Sequence, residues 1–168
     1  MSAQRQRRKL GVRVFLAKTG LGLLLLAGFL GLPSQSATTE RIVVDPVRGL
    51  ALSGFDPVAY FTDSKALAGR DDLEMSLAGA TWRFRNEGNR AAFAANPEVY
   101  LPAFGGYDPI AVTRGVATPG HPQIWLITGE RLYLFYSTEA RETFAAASGA
   151  LASEAQKKWP SVLQTIVP

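Results

Sequence analysis

The sequence predicts an α+β fold: one small domain made of two similar β-hairpin-plus-helix halves that arose by internal duplication. The first observation is a repeat. Gly54-Phe-Asp-Pro-Val-Ala59 recurs as Gly106-Tyr-Asp-Pro-Ile-Ala111, and Gly69/Gly120, Gly79/Gly129, Phe84/Phe135, Arg90/Arg141 and Phe93-Ala-Ala95/Phe144-Ala-Ala146 follow in the same order. The offsets stay between 50 and 52 residues and only two copies fit, which is the signature of a tandem duplication rather than an array. Second, each copy runs from an Asp-Pro turn through short alternating strands into a short helix, whereas each crossover unit of a doubly wound parallel sheet needs about 30 residues. Third, 168 residues with 47% apolar and 19% charged side chains and no cysteine suit one ordinary domain, and exclude a disulfide scaffold or a low-complexity chain. The domain is expected over 49–160, with halves 49–103 and 104–160 related by an approximate two-fold axis.

The chain opens with an address. Residues 1–37 carry six cations and no acid; Arg5 to Lys18 precede an uncharged run from Thr19 to Leu32, then Pro33-Ser-Gln-Ser-Ala37. That order of basic, apolar and small-residue regions is a secretory signal, cut after Ser36 or Ala37, which places the mature protein in a bacterial periplasm or outside the cell. An uncleaved anchor over 14–32 is the alternative, but the run includes Lys18 and is shorter than the roughly 20 apolar residues of a span. Arg7-Arg8 fits a twin-arginine signal except at Gly11, where a bulky apolar residue belongs, so the general secretory route is expected. Beyond residue 37 the acids outnumber the cations by two, so the basic pI of 9.6 belongs to the leader and nucleic acid is excluded as a partner. Membrane contact is expected only through the leader, if it stays uncut.

Residues 38–48 read as a linker. Strands over 73–77 and 80–85 around Ala78-Gly79, and over 123–128 and 131–136 around Gly129-Glu130, form two hairpins; Thr81-Trp-Arg-Phe-Arg85 places Trp82 and Phe84 on one face and both arginines on the other. A helix from Glu87 to Ala95 must stop before Asn96-Pro97, since the residue before proline avoids helical geometry. Ser137 or Thr138 caps a second helix, and an alanine-rich third runs from Ser148 to Lys158, ending at Trp159-Pro160 and leaving 161–168 as a tail.

Gly54-Phe-Asp-Pro-Val-Ala-Tyr-Phe61, the strand Gly79-Ala-Thr-Trp-Arg-Phe84, Asn96-Pro-Glu-Val-Tyr-Leu-Pro102, Gly105-Gly-Tyr107 and Arg131-Leu-Tyr-Leu-Phe-Tyr136 together resemble the YHS-domain family, in its stand-alone exported form. The resemblance covers residues 50–160. It implies a small α+β domain related to treble-clef-like metal-binding modules, with a role in binding or sensing a metal such as copper. Two positions depart from the family pattern. Asp108 stands where members carry Cys after Gly-Gly-Tyr, and no His occupies the Leu77-Ala78-Gly79 region. A carboxylate does not supply the electron donation of a thiolate or imidazole, so a metal, if bound, would rest on Asp108 and the single histidine, His121.

Asp56 and Asp108 read either as a facing carboxylate pair or as caps of their own Asp-Pro turns. Tyr60 and Tyr107 are candidate ligand contacts or core aromatics, and His121, between Gly120 and Pro122, is a ligand or an exposed turn residue. With no phosphate loop, catalytic triad or cysteine nucleophile in view, the expected function is a non-catalytic binding module for a small ligand, a metal or an exported partner protein, with Asp56, Tyr60, Tyr107, Asp108 and His121 as its site. A periplasmic enzyme using Asp56, Asp108 or His121, and an accessory subunit binding another protein, are the alternatives.

Overall fold

The computed structural model describes residues 42–166; the expected leader and the first residues of the expected linker lie outside them. The elements come in two matching series. The first copy has a tight corner at Leu52–Gly54, helix α1 (Ala59–Thr62), strands β1 (Arg70–Leu77) and β2 (Ala80–Phe84), helix α2 (Glu87–Ala95) and a short α3 (Pro97–Tyr100). The second has a corner at Ala103–Gly106, α4 (Pro109–Thr113), β3 (His121–Thr128), β4 (Arg131–Phe135), α5 (Thr138–Ala146) and the long α6 (Ser148–Ile166). Each hairpin is a separate two-stranded antiparallel sheet. Within each, the register slips at the same place, between Arg70 and Glu74 and between His121 and Trp125.

The turns explain one difference from the sequence reading. Leu77 pairs with Ala80 and Thr128 with Arg131, so Gly79 stands opposite Glu130 in the repeat and Ala78 opposite Gly129. A two-residue hairpin turn of this hand needs φ > 0 at both central positions; Ala78 and Gly79 have φ 52° and 75°, Gly129 and Glu130 have 55° and 59°. One glycine per turn, at either position, eases the strain, and the two copies chose differently.

The helix that follows each hairpin is capped by a side chain. Asn86 accepts the Asn89 amide at 2.8 Å to begin α2, and Ser137 accepts the Ala140 amide at 3.2 Å to begin α5. The buried phenylalanine of each helix then lies on its own hairpin: Phe93 meets Phe84 and Phe144 meets Phe135, both with ring centroids 5.3 Å apart at 55°. Gly69 and Gly120 let the strand backbones close up. A Cβ on Gly69 would lie 2.5 Å from the Arg83 carbonyl carbon, and one on Gly120 2.6 Å from the Leu134 Cβ.

The copies do not pack as equals. The inner face of β1–β2 (Leu73, Ala80, Trp82, Phe84) joins Leu52, Val58, Tyr60 and Phe93 in a first core; Leu132 and Leu134, from the back of the second hairpin, close it. The inner face of β3–β4 (Tyr133, Phe135) joins Phe104, Val112 and Phe144 in a second core, closed by Ala155, Trp159 and Val162 of α6. On the first hairpin, the positions matching Leu132, Leu134, Trp125 and Ile127 are Thr81, Arg83, Glu74 and Ser76. They turn toward solvent and the Gly49–Ala51 backbone, with Arg83 paired to Asp71 and Glu74. Equivalent surfaces therefore do not meet, as a two-fold axis would require; the second copy's back lies on the first copy's core.

Both ends of the domain lie further out than expected. Residues 42–48 of the expected linker belong to the fold: Ile42 is buried, the Val43 amide donates to the Gly105 carbonyl at 2.8 Å, and Val44 bridges Ala51. At the other end α6 runs through Pro160 to Ile166, where a tail was expected. Pro160 sits on the exposed side of α6 while Trp159 and Val162 face the core, so the break in the helical hydrogen bonds that a proline makes falls on the solvent side.

Gly69→Ala and Gly120→Ala are expected to destabilise the protein by about 1–3 kcal/mol each, since the added methyl meets backbone that must shift. Alanine at Gly149, which meets nothing within 4 Å, is the control. Urea unfolding of the three variants checks this.

Candidate functional site

The two aspartates proposed as a carboxylate pair are buried, at 0% and 2% exposure, and each is used up within its own copy. Asp56 Oδ1 accepts the Val58 amide at 2.8 Å; its Oδ2 accepts the Arg85 amide at 2.8 Å and the Asn89 side-chain amide at 2.7 Å. Asp108 Oδ1 accepts the amides of Ile110 and Ala111 at 2.7 and 3.3 Å, and its Oδ2 that of Tyr136 at 2.8 Å. Asp56 and Asp108 thus cap the turns set by Pro57 and Pro109 and tie each turn to the residue that follows β2 or β4. With their oxygens aimed at backbone N–H groups, neither is placed to accept a proton from a substrate or to hold a metal.

The two tyrosines are core residues. Tyr60 is fully buried; its ring stands edge-on to Trp125 at 5.3 Å and its O–H donates to the Pro122 carbonyl at 2.9 Å. Burial, with the Asp56 charge adding to it, holds the phenol well above its ordinary value. Tyr107, also buried, packs on Trp159 at 5.8 Å. Sequence spacing offered no sign that both rings point inward, because each follows a turn rather than a regular element.

His121 lines a cleft. The cleft, of about 450 Å³, opens where the two corners meet. Leu52 and Ser53 of the first and Gly105 and Gly106 of the second line it, the strap from Val43 to Pro46 forms one wall, and Pro119, Pro122, Leu134 and Tyr136 complete it with His121. Both corners run through left-handed geometry: Leu52 and Ser53 have φ 51°, and Phe104 and Gly105 have 53° and 63°. That geometry bends the chain sharply enough to leave a hollow between the copies. Asp45 stands at the rim with Oδ1 accepting the Val47 and Arg48 amides. The signal that could have located this cleft was the pair of segments just before each Asp-Pro turn, Leu52-Ser-Gly54 and Phe104-Gly-Gly106, where residues suited to tight backbone recur.

Among the described residues no group of three or more His, Cys, Asp or Glu side chains is gathered as a metal would need. Asp108, lying buried in its turn, does not join the exposed His121 as the resemblance would ask. No described helix is long and apolar enough to cross a membrane.

Asp56→Ala and Asp108→Ala are each expected to cost about 2–5 kcal/mol, because three buried or half-buried donors lose their acceptor at once; a cost under 1 kcal/mol by urea unfolding would contradict this role. Tyr60 gives a pH signature. The unfolded phenol ionises at its ordinary 10.0 and the folded one only above that, so its contribution to stability is complete below pH 10.0 and is lost as pH rises further. Tyr60→Phe should cost about 1 kcal/mol at neutral pH and flatten the alkaline fall in stability. No family model matches the chain, and no curated protein and no solved structure matches it either.

Proposed function

We propose that this is an exported, non-catalytic binding protein whose ligand seat is the cleft between the two corners. The observation that carries the reading is a division of labour among the polar groups. The two buried carboxylates suited to acid–base work are spent on backbone amides, while the cleft combines apolar walls with a few polar side chains at its mouth, which is how small-molecule sites are built. Its position at the junction of two packed units is where such sites recur. The YHS-like pattern fits a binding role, and the engagement of Asp108 argues against carrying over the family's metal.

The export half of the proposal rests on the leader, so the mature chain should begin at residue 37 or 38. N-terminal sequencing of protein recovered from the cell envelope reads this directly, and a full-length, membrane-extracted product would favour the anchor. Native mass spectrometry of the same material should reveal a bound small molecule. Val44→Trp, which fills the mouth from a partly exposed strap position, should fold normally by circular dichroism and emerge empty. Equal occupancy in the variant would move the seat elsewhere.

A further inference from the structure

Resting on that reading of the cleft, we propose that its ligand is a small apolar molecule ending in a hydrogen-bond acceptor, a carbonyl or carboxylate oxygen, to which the Nε2–H of His121 donates. The other ring nitrogen sets the tautomer. His121 Nδ1 accepts the Gln123 amide at 3.2 Å, and an imidazole nitrogen that accepts an N–H carries no proton of its own. The neutral ring therefore bears its proton on Nε2, on a residue that lines the cleft. Metal ligation through Nε2 would require that proton to move to Nδ1, where it would face the Gln123 N–H and break the existing bond.

The surroundings agree with a donor site. Tyr136, 69% exposed, and Ser53 also line the cleft. The acid of the rim, Asp45, has one oxygen already held by two amides. Val43, Leu52, Pro119, Pro122 and Leu134 present apolar surface to the same cleft. A ligand with a cationic or donor-only end offers the His121 proton no acceptor.

The test uses the mature chain, isotope-labelled, and three probes that share a phenyl ring: acetophenone with an acceptor, ethylbenzene with neither group, and benzylamine with a cationic donor. Long-range proton–nitrogen correlation at pH 8 should find the Nε2–H tautomer of His121. Titration should shift the amides of Gly105, Gly106 and Tyr136, with acetophenone binding about three- to tenfold tighter than ethylbenzene, the range of one hydrogen bond. His121→Ala, at an exposed position, should erase that difference, and His121→Gln, which keeps a side-chain N–H, should restore part of it. The Nδ1–H tautomer, equal binding of acetophenone and ethylbenzene, or tightest binding of benzylamine would overturn the acceptor inference while leaving the cleft as a binding site. No shift at the cleft with any probe would overturn both.

Discussion

A buried carboxylate accepting backbone amides is the interaction on which both copies depend. Asp56 and Asp108 sit in the interior and form no salt bridge among the described residues; what offsets the loss of hydration is a set of three N–H donors apiece, each bond strengthened by the charge. The donors come from parts of the chain almost thirty residues apart, so one side chain joins a turn, the start of a short helix and the end of a strand. In so small a copy, with a two-stranded sheet and helices of four to nine residues before α6, such a contact ties together most of the unit. The backbone around the turns follows: the Asp56 amide donates to the Leu67 carbonyl and the Asp108 amide to that of Thr118, both at 2.9 Å.

Given two such units, the remaining problem was how to bury their open sides, and the chain solves it unequally. The back of the second hairpin became apolar and covers the first core; the back of the first stayed polar. On the second core, α6 supplies the covering surface through Trp159 and Val162. This is the logic of repeat proteins, where each unit closes its predecessor and a terminal element of different sequence closes the last. The cleft is a by-product of that stacking, since it forms where one corner rides past the other and the strap leaves a gap.

Much of this was legible before the structure. The hairpins, the extent of α2 and the Ser137 cap follow from period-two alternation, the Asn96-Pro97 stop and the capping preference, all of which are local. The role of Asp56 and Asp108 was legible as one of two alternatives, because an Asp-Pro pair carries its own turn chemistry; that Arg85 and Tyr136 supply further donors was not, since those contacts span 29 and 28 residues. The brief helices α1, α3 and α4 escaped because four or five residues show no periodicity. The strap escaped for another reason. Residues 42–48 look like a linker by composition and are ordered by contacts with Gly105 and Ala51 that no local pattern announces. The failure of the two-fold expectation has the same origin: similar halves say nothing about which surfaces meet, although Arg83 against Leu134 was the clue.

The closure of the first core by Leu132 and Leu134 sets an order of events during synthesis. The N-terminal copy leaves the ribosome first, yet one wall of its core is encoded about fifty residues after Trp82 and Phe84, so a chain halted before β4 holds an unfinished interior with apolar side chains bared. Neither copy can ripen early and wait for the other, and the duplicated domain is committed to folding as a single cooperative event despite its repeated plan. Were the chain exported in extended form, as proposed above, nothing compact would form before nearly all of it had been made.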